Sequence, residues 1–234
     1  MAKKLYLIPT PIIENGLSSL PEDTIKVIHS TNNFIVENAR TARRFIKTTD
    51  PPYSIQDLNI LELDKHEPEN NHDILKRAME FSTEIGFLSD AGCPAIADPG
   101  SEVVKAAHHE NFEIIPLIGP SSIFLALMGS GMNGQKFQFH GYLSPKKELI
   151  GKELSRLEKL SQTTKGTQIF IETPYRNRQI LETALKVLNA ETRLCIAANV
   201  TAENQFLKTM KVKGWRKVGM PEIHKVPSIF LIGR

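Results

Sequence analysis

Apolar and polar positions alternate in a strand–helix order along the first half of the chain. Short apolar runs predict strands at residues 4–8, 33–37, 60–63, 85–88 and 113–117. Helical patterns separate them at residues 19–29, 39–47, 68–81 and 102–110, the first opened by Ser19 as N-cap. Because strands that alternate with helices are typical of a parallel sheet, we expect an α/β unit with ligands at the strand ends.

The pattern changes after Gly119 and Pro120. A short buried helix is predicted at residues 121–128 and longer helices at residues 147–161 and 176–188. The remaining apolar runs predict strands at residues 137–142, 168–172, 193–197, 205–211 and 228–232. We therefore predict two α/β domains, residues 1–117 and 118–234.

One loop stands out for its composition. Residues 89–100 follow a predicted buried strand and contain two Asp, two Pro and two Gly. Glycine allows close backbone approach, and proline fixes φ. The segment is either a tight strand-to-helix connection or a ligand loop at the carboxyl end of a strand.

Bulk properties limit the class of protein only loosely. The chain has 234 residues, 41% hydrophobic and 24% charged, which is typical of a globular protein. A net charge of +3 permits a nucleic-acid partner without requiring one. Two cysteines without zinc spacing fit a reducing cytoplasm, and no apolar run approaches the about 20 residues that span a bilayer, so we expect no membrane partner.

Three local patterns invite a chemical interpretation. Residues 129–134 match the dinucleotide pattern G-x-G-x-x-G, but a predicted helix precedes them and a strand follows, so we predict a helix-ending turn. Cys93 has no neighbouring histidine to act as a base and is interpreted as a small buried thiol. Arg40, Arg43 and Arg44 share one helix face, which is either solvated or contacts phosphates.

Several ordered segments resemble the tetrapyrrole methylase superfamily of S-adenosylmethionine-dependent methyltransferases. They are LYLIPTPI at residues 5–12, SDAGCP at 89–94, DPG at 98–100 and PLIGPSS at 116–122. FHGYLSP at residues 139–145 and IETPYR at 171–176 resemble segments of the ribosomal RNA small subunit methyltransferase I branch. The order and approximate spacing hold across nearly the whole chain.

The resemblance implies a two-domain fold with S-adenosylmethionine in a cleft between the domains, commonly in a homodimer. It implies a methyl acceptor in 16S ribosomal RNA, the ribose 2′-hydroxyl of a cytidine, and no metal. Carried over by position, the residues implied to bind the cofactor are Pro9, Asp90, Gly92, Cys93 and Ile96 from the first domain and Ser121, Ser122, Ile171, Ala198 and Pro227 from the second.

On the acceptor side the resemblance implies roles for a few charged residues. Glu37 is implied as the catalytic residue, with a plain surface acid as the alternative. Arg40, Arg43 and Arg44 are interpreted as substrate contacts, and Glu172 either orients the substrate or caps the next helix.

Three segments depart from the branch pattern. Residues 198–202 stand where the branch has Arg-Glu-Leu-Thr-Lys, residues 225–227 replace Lys-Gly-Glu, and Asn38 and Ala39 fall within Glu-Asp-Thr-Arg. Two alternatives therefore stay open beside an rRNA methyltransferase. One is a methyltransferase of a tetrapyrrole or other small molecule, and the other is a non-catalytic protein that binds S-adenosylmethionine.

Overall fold

The computed structural model describes residues 2–64 and 73–234. The chain forms two compact units, Met1–Ser121 and Ser122–Arg234. The boundary falls after residue 121, whereas the sequence pattern placed it after residue 117. Each unit has its own sheet and its own core.

The first unit is built on a five-stranded sheet of order β3-β2-β4-β1-β5. Its strands are β1 (Lys4–Ile8), β2 (Asn33–Val36), β3 (Asn59–Glu62), β4 (Glu84–Leu88) and β5 (Glu113–Pro116). All neighbouring strands are parallel, which confirms the expected parallel sheet. Their carboxyl ends therefore share one edge of the sheet.

Helices cover both faces of this sheet. They are α1 (Glu22–Ser30), α2 (Ala39–Thr48), α3 (Ile74–Met79) and α4 (Gly100–His109). One buried cluster joins α1 and α2 to Phe34 and Val36, and a second joins α3 and α4 to Ile35 and Phe87. The chain therefore leaves β2 towards one face and β4 towards the other. Such a switch between adjacent strands opens a crevice at their carboxyl ends, where open α/β sheets bind ligands.

The start of α1 and the extent of α3 differ from what the sequence pattern predicts. Ser19 does not cap α1, because it belongs to the short 3-10 turn Leu17–Ser19 and its hydroxyl donates to the carbonyl of Gly16 at 2.6 Å. Pro21 is the N-cap residue instead. Of the helix predicted at residues 68–81, the structure describes α3, while residues 68–72 lie outside the described residues.

The second unit has a mixed sheet of order β6-β7-β10-β8-β9. Its strands are β6 (Phe137–Tyr142), β7 (Thr167–Glu172), β8 (Arg193–Ala198), β9 (Phe206–Lys211) and β10 (Ser228–Gly233). β6 is parallel to β7, and the other pairs are antiparallel. Because Ser228 pairs with both Glu172 and Ala198, the ends of β7 and β8 meet the start of β10 at one edge.

Four helices flank the second sheet: α5 (Ser122–Ser130), α6 (Lys147–Thr164), α7 (Asn177–Val187) and α8 (Val212–Val218). α5 packs in one buried cluster and the other three in another, on opposite faces. α5 ends at Ser130 and Gly131 has a φ of 63°, so the pattern at residues 129–134 is a helix-ending turn, as predicted. No helix in the described part of the chain is both long and apolar enough to cross a membrane.

The sequence pattern missed α8. Its seven residues include a glycine and are too few to show a helical period of apolar positions. Tertiary contacts hold it, because the buried Trp215 donates its indole N–H to the carbonyl of Leu194 at 2.9 Å.

Candidate functional site

A two-residue bridge ties together two loops at the carboxyl edge of the first sheet. The N–H of Thr10 donates to the carbonyl of Gly92 at 3.0 Å, and the N–H of Gly92 donates back to Thr10 at 3.0 Å. Ser89 adds a hydroxyl bond to the Gly92 carbonyl at 2.9 Å. The conspicuous loop of residues 89–100 is thus fixed to the loop that follows β1.

The switch between β2 and β4 brings two predicted site residues together. The N–H of Asp90 donates to Glu37 Oε1 at 2.8 Å, and the N–H of Glu37 donates to the carbonyl of Leu88 at 3.3 Å. Glu37 is half-buried and Asp90 is exposed. The carboxylate of Glu37 therefore lies at the ligand crevice that the topology predicts.

Asp98 organises the second half of the same loop. Its Oδ1 accepts the N–H groups of Ala95 at 3.0 Å and Gly100 at 2.7 Å. Burial raises the pKa of the Asp98 carboxyl above its usual value, and the nearby charge of Glu37 raises it further, although the bond from Gly100 opposes the shift. Ala95 and Ala97 have φ values of 64° and 65°, a left-handed backbone that alanine rarely adopts.

The loops after β1, β4 and β5 pack closely. A Cβ on Gly119 would lie 2.2 Å from Pro9 Cγ, so only glycine fits beside this buried proline. Cys93 Sγ donates to the carbonyl of Pro120 at 3.4 Å, and burial raises the pKa of its thiol. A raised pKa disfavours the thiolate, which agrees with a packing role rather than a nucleophile.

The remaining residues predicted from the first unit are on its surface. Ile96 is 45% exposed. Arg40, Arg43 and Arg44 lie on the exposed face of α2, while Ala42 and Ile46 face the core. Arg44 Nη1 lies 3.2 Å from Glu14 Oε1, in an ion pair whose side chains are 71% and 73% exposed.

The second unit collects four predicted residues at the edge where β7, β8 and β10 meet. Ile171 and Glu172 end β7, Ala198 ends β8, and Pro227 precedes β10. The N–H of Asn199 donates to the carbonyl of Pro227 at 3.0 Å. Ala198 is buried and Pro227 is exposed.

The two predicted serines fall at the boundary between the units. Ser121 ends the first unit, and Ser122 begins both the second unit and α5.

Glu172 does not cap the following helix. Its Oε1 accepts the N–H of Thr173 at 2.8 Å and lies 3.3 Å from Arg176 Nη1, whose Nη2 donates to the carbonyl of Ser144 at 2.6 Å. Arg176 itself is the N-cap residue of α7, and no side chain caps that helix. Oε2 of Glu172 is buried without a hydrogen-bond partner among the described residues.

Strained backbone marks the same edge. Asn199, Thr201 and Lys225 have φ values of 48°, 76° and 60°. Left-handed conformations of non-glycine residues cost free energy and concentrate at functional sites, most of all for a β-branched residue such as Thr201. Two of the segments that depart from the branch pattern therefore hold special backbone geometry.

Each unit, taken by itself, presents polar groups at its own sheet edge. In the first unit, small residues and left-handed turns expose backbone groups that can hold the polar ends of a nucleoside and an amino acid. In the second, the side chain of Glu172 has no exposed surface, and the group that this edge presents is the guanidinium of Arg176, whose side chain is 22% exposed. Among residues 2–64 and 73–234, no group of His, Cys, Asp or Glu side chains is arranged to hold a metal ion.

Sequence reasoning missed Asp98 and Arg176 as site residues. Asp98 could have been found from the sequence, because Asp side chains in turns commonly accept the backbone N–H two residues on, here that of Gly100. Arg176 stands four residues after Glu172, the spacing of an ion pair.

These features define a protein of two α/β units in which the predicted site residues collect at the sheet edges, and comparisons with known proteins identify its class. The profile of the Tetrapyrrole (Corrin/Porphyrin) Methylases matches residues 19–214. The structure of the methyltransferase CobJ superposes with a TM-score of 0.64 at 15% identity, covering 100% of this chain and 95% of that one. Uroporphyrin-III-C-methyltransferase from Thermus thermophilus gives a TM-score of 0.57 at 14% identity, covering 99% and 94%. At such identities these structures show a shared fold.

Curated relatives are similar over most of the chain. Ribosomal RNA small subunit methyltransferase I of Halalkalibacterium halodurans is 31% identical over 210 residues, covering 87% of this chain and 67% of the relative. The Vibrio cholerae protein of that name is 28% identical over 206 residues, covering 88% and 68%. The Buchnera aphidicola (Schizaphis graminum) protein is 26% identical over 231 residues, covering 97% and 77%.

The chain belongs to the tetrapyrrole methylase family. It is a methyltransferase that depends on S-adenosylmethionine, and its resemblance to the ribosomal RNA small subunit methyltransferase I branch is confirmed.

We predict that Asp98→Ala lowers the free energy of unfolding by about 1–3 kcal/mol, because two partly buried N–H groups, of Ala95 and Gly100, lose their acceptor. Asp98→Asn keeps an accepting oxygen and should lose less. Because burial raises the pKa of Asp98 in the folded state, the native protein of the parent loses stability as pH rises through that pKa. The Asn variant should therefore gain on the parent as pH rises from about 4, the ordinary pKa of an aspartate, towards neutral pH.

Urea unfolding of the parent and both variants across that pH range measures the effect. A stability difference between the Asn variant and the parent that stays constant with pH, or falls as pH rises, would contradict the assignment.

Proposed function

We propose that this protein methylates ribosomal RNA, at the ribose 2′-hydroxyl of a cytidine in 16S rRNA. The observation that carries the proposal is the similarity, over 87–97% of the chain, to relatives that bear the name ribosomal RNA small subunit methyltransferase I. The proposal places the protein in the cytoplasm, and its two cysteines are both free, as a reducing compartment requires.

Exposed charge on the first unit supports an RNA partner. Arg40, Arg43 and Arg44 form a basic face along α2, directly after the switch point. Arginines in such a row contact successive phosphates and make affinity depend on salt. We propose these three residues as backbone contacts of the RNA.

The edge of the second unit also suits RNA. Tyr175 is 71% exposed, and Lys225 Nζ lies 5.8 Å from the centre of its ring. Exposed aromatic rings stack on unpaired bases, and a neighbouring cation attracts phosphate. Glu172 would act here through Arg176, whose guanidinium it holds in place.

The bound donor supplies an activated methyl group on a sulfonium. The protein must hold the acceptor hydroxyl in line with it and remove one proton. Its proposed contacts to the donor are those carried over from the family: Pro9, Asp90, Gly92, Cys93, Ile96, Ser121, Ser122, Ile171, Ala198 and Pro227. Glu37 is the proposed proton acceptor, because it is a half-buried carboxylate at the switch point of the sheet.

Glu37→Gln should lower kcat about 10²-fold or more, because an amide still accepts the N–H of Asp90 but cannot take a proton. The matched control is Glu62→Gln. Glu62 also accepts a backbone N–H, from Ala39 at 2.8 Å, and should tolerate the change. Steady-state methyl transfer to 30S subunits measures both variants. An equal loss in both, or none in Glu37→Gln, would remove Glu37 from the chemistry.

We also propose that the protein is a homodimer, as the resemblance implies. An apolar surface on the second unit supports this: Phe124, Met128 and Phe137 are 49%, 78% and 41% exposed, and the two phenylalanine rings meet edge to face at 6.0 Å. Contiguous exposed apolar residues mark interaction sites.

Met128→Lys should therefore weaken self-association about tenfold or more, since it buries a charge in the contact. Light scattering across a concentration series measures this. Val218→Lys is the control, because Val218 is 65% exposed at the end of a different helix. A monomeric parent, or equal effects of both substitutions, would argue against this surface.

One assay tests the reaction. The protein is incubated with methyl-labelled S-adenosylmethionine and, separately, 30S subunits, naked 16S rRNA or uroporphyrinogen. We expect label in RNA, recovered after nuclease digestion as 2′-O-methylcytidine. Label in the porphyrinoid alone would establish a tetrapyrrole methyltransferase instead. Cofactor binding in calorimetry without transfer would indicate a non-catalytic binding protein.

A further inference from the structure

A cleft of about 500 Å³ lies wholly within the first unit. We call it the β1–α2 cleft. It is lined by residues 10–17 after β1, by Asp90 and Ala91 after β4, and by Thr41, Arg44, Phe45 and Thr48 of α2. Clefts of about 300–1,000 Å³ hold small ligands or parts of larger ones.

The cleft opens beside the switch between β2 and β4. Asp90 lines it and donates its N–H to Glu37 at 2.8 Å, so its inner end borders the proposed proton acceptor. An acceptor molecule can therefore place one part in the cleft and its reacting hydroxyl at Glu37. Such an acceptor must be larger than the hydroxyl group alone.

The lining suits one nucleotide. Ile12, Ile13 and Phe45 offer apolar surface to a flat base, and all three are only partly buried. Thr41 and Thr48 line the α2 side, and threonine hydroxyls can bond the polar edges of a base. An unpaired base splayed out of an RNA strand is recognised by this combination of an aromatic side chain and short polar groups.

Arg44 places a positive charge in the lining of the cleft. Arg44 is paired with Glu14 at 3.2 Å, and both side chains are largely exposed. Exposed ion pairs are weak, so an RNA phosphate can displace the carboxylate of Glu14 from the guanidinium.

The cleft is separate from most of the residues implied to bind the methyl donor. Of those in the first unit, only Asp90 lines it. Cys93 instead contacts the carbonyls of Gly119 and Pro120 after β5, on the other side of β1. In the loop after β4, Asp90 and Ala91 face the cleft, whereas Cys93 faces the loop after β5. Gly92, which is bridged to Thr10, lies between them.

We propose that the β1–α2 cleft binds an unpaired nucleotide of the acceptor RNA, with the base against Phe45 and its phosphate on Arg44. The inference rests on the proposed function and names the part of the protein that selects the acceptor.

Thr48→Trp tests the proposal by filling the cleft. Thr48 is exposed at the end of α2, and its hydroxyl bonds only to the carbonyl of Phe45 among the described contacts. Thr163→Trp is the matched control: this threonine is also exposed in the last turn of a helix, α6, with its hydroxyl on backbone carbonyls. We expect Thr48→Trp to raise the KM for 30S subunits or 16S rRNA about tenfold, the value of one lost base contact, and Thr163→Trp to leave it unchanged.

Phe45→Leu is the second variant, since it keeps apolar packing but removes the aromatic face. It should raise the KM for RNA in the same direction, while calorimetry shows parent affinity for S-adenosylmethionine in all three variants.

The outcomes separate the two proposals. A parent that does not methylate RNA refutes the proposed function and the cleft's role with it. A parent that methylates RNA, with unchanged KM in Thr48→Trp, overturns the cleft alone. Weakened binding of S-adenosylmethionine in Thr48→Trp would assign the cleft to the donor and also overturn the proposal.

Discussion

The paired hydrogen bonds between Thr10 and Gly92 are the constraint on which the first unit's site depends. β1 and β4 are adjacent parallel strands, so the loops that follow them leave the same edge side by side. Past the sheet, an antiparallel bridge of 3.0 Å in each direction joins the two loops. Because Gly92 is fixed there, Asp90 reaches Glu37 on one side and Cys93 reaches the loop after β5 on the other. One pair of backbone groups thus divides the edge into two regions.

The second unit reaches a comparable arrangement with a different sheet. Its edge is formed where β7 and β8 end and β10 begins, and a buried carboxylate, Glu172, fixes the guanidinium of Arg176. Two of the three segments that depart from the rRNA branch lie in these loops, and they have left-handed backbone at Asn199, Thr201 and Lys225. Changes of sequence at such positions alter which groups face a ligand, while the buried strands keep the fold. This explains how a chain can retain the family's architecture and still differ at its surface of recognition.

The central strands could be predicted from the sequence because they are short apolar runs buried on both faces, as Phe34, Ile35 and Val36 of β2 are. α8 could not, because one buried residue, Trp215, holds a segment whose local pattern is weak. The site divides in the same way. Asp90, Gly92 and Cys93 share one loop with a recognisable composition, but the bond from Asp90 to Glu37 spans 53 residues and follows from strand order alone. The cofactor residues of both units stay predictions drawn from the family.

The left-handed alanines of the loop after β4 carry a further consequence. Ala95 and Ala97 hold φ values of 64° and 65°, where glycine would relieve the strain of the methyl group. The sequence has therefore not been optimised for thermodynamic stability at this point. Alanine restricts the unfolded chain and keeps the loop in one shape, whereas glycine would let it sample several. A loop that already holds the conformation needed for binding loses less conformational entropy when a ligand binds. The local cost in folding stability is therefore offset by preorganisation of the loop.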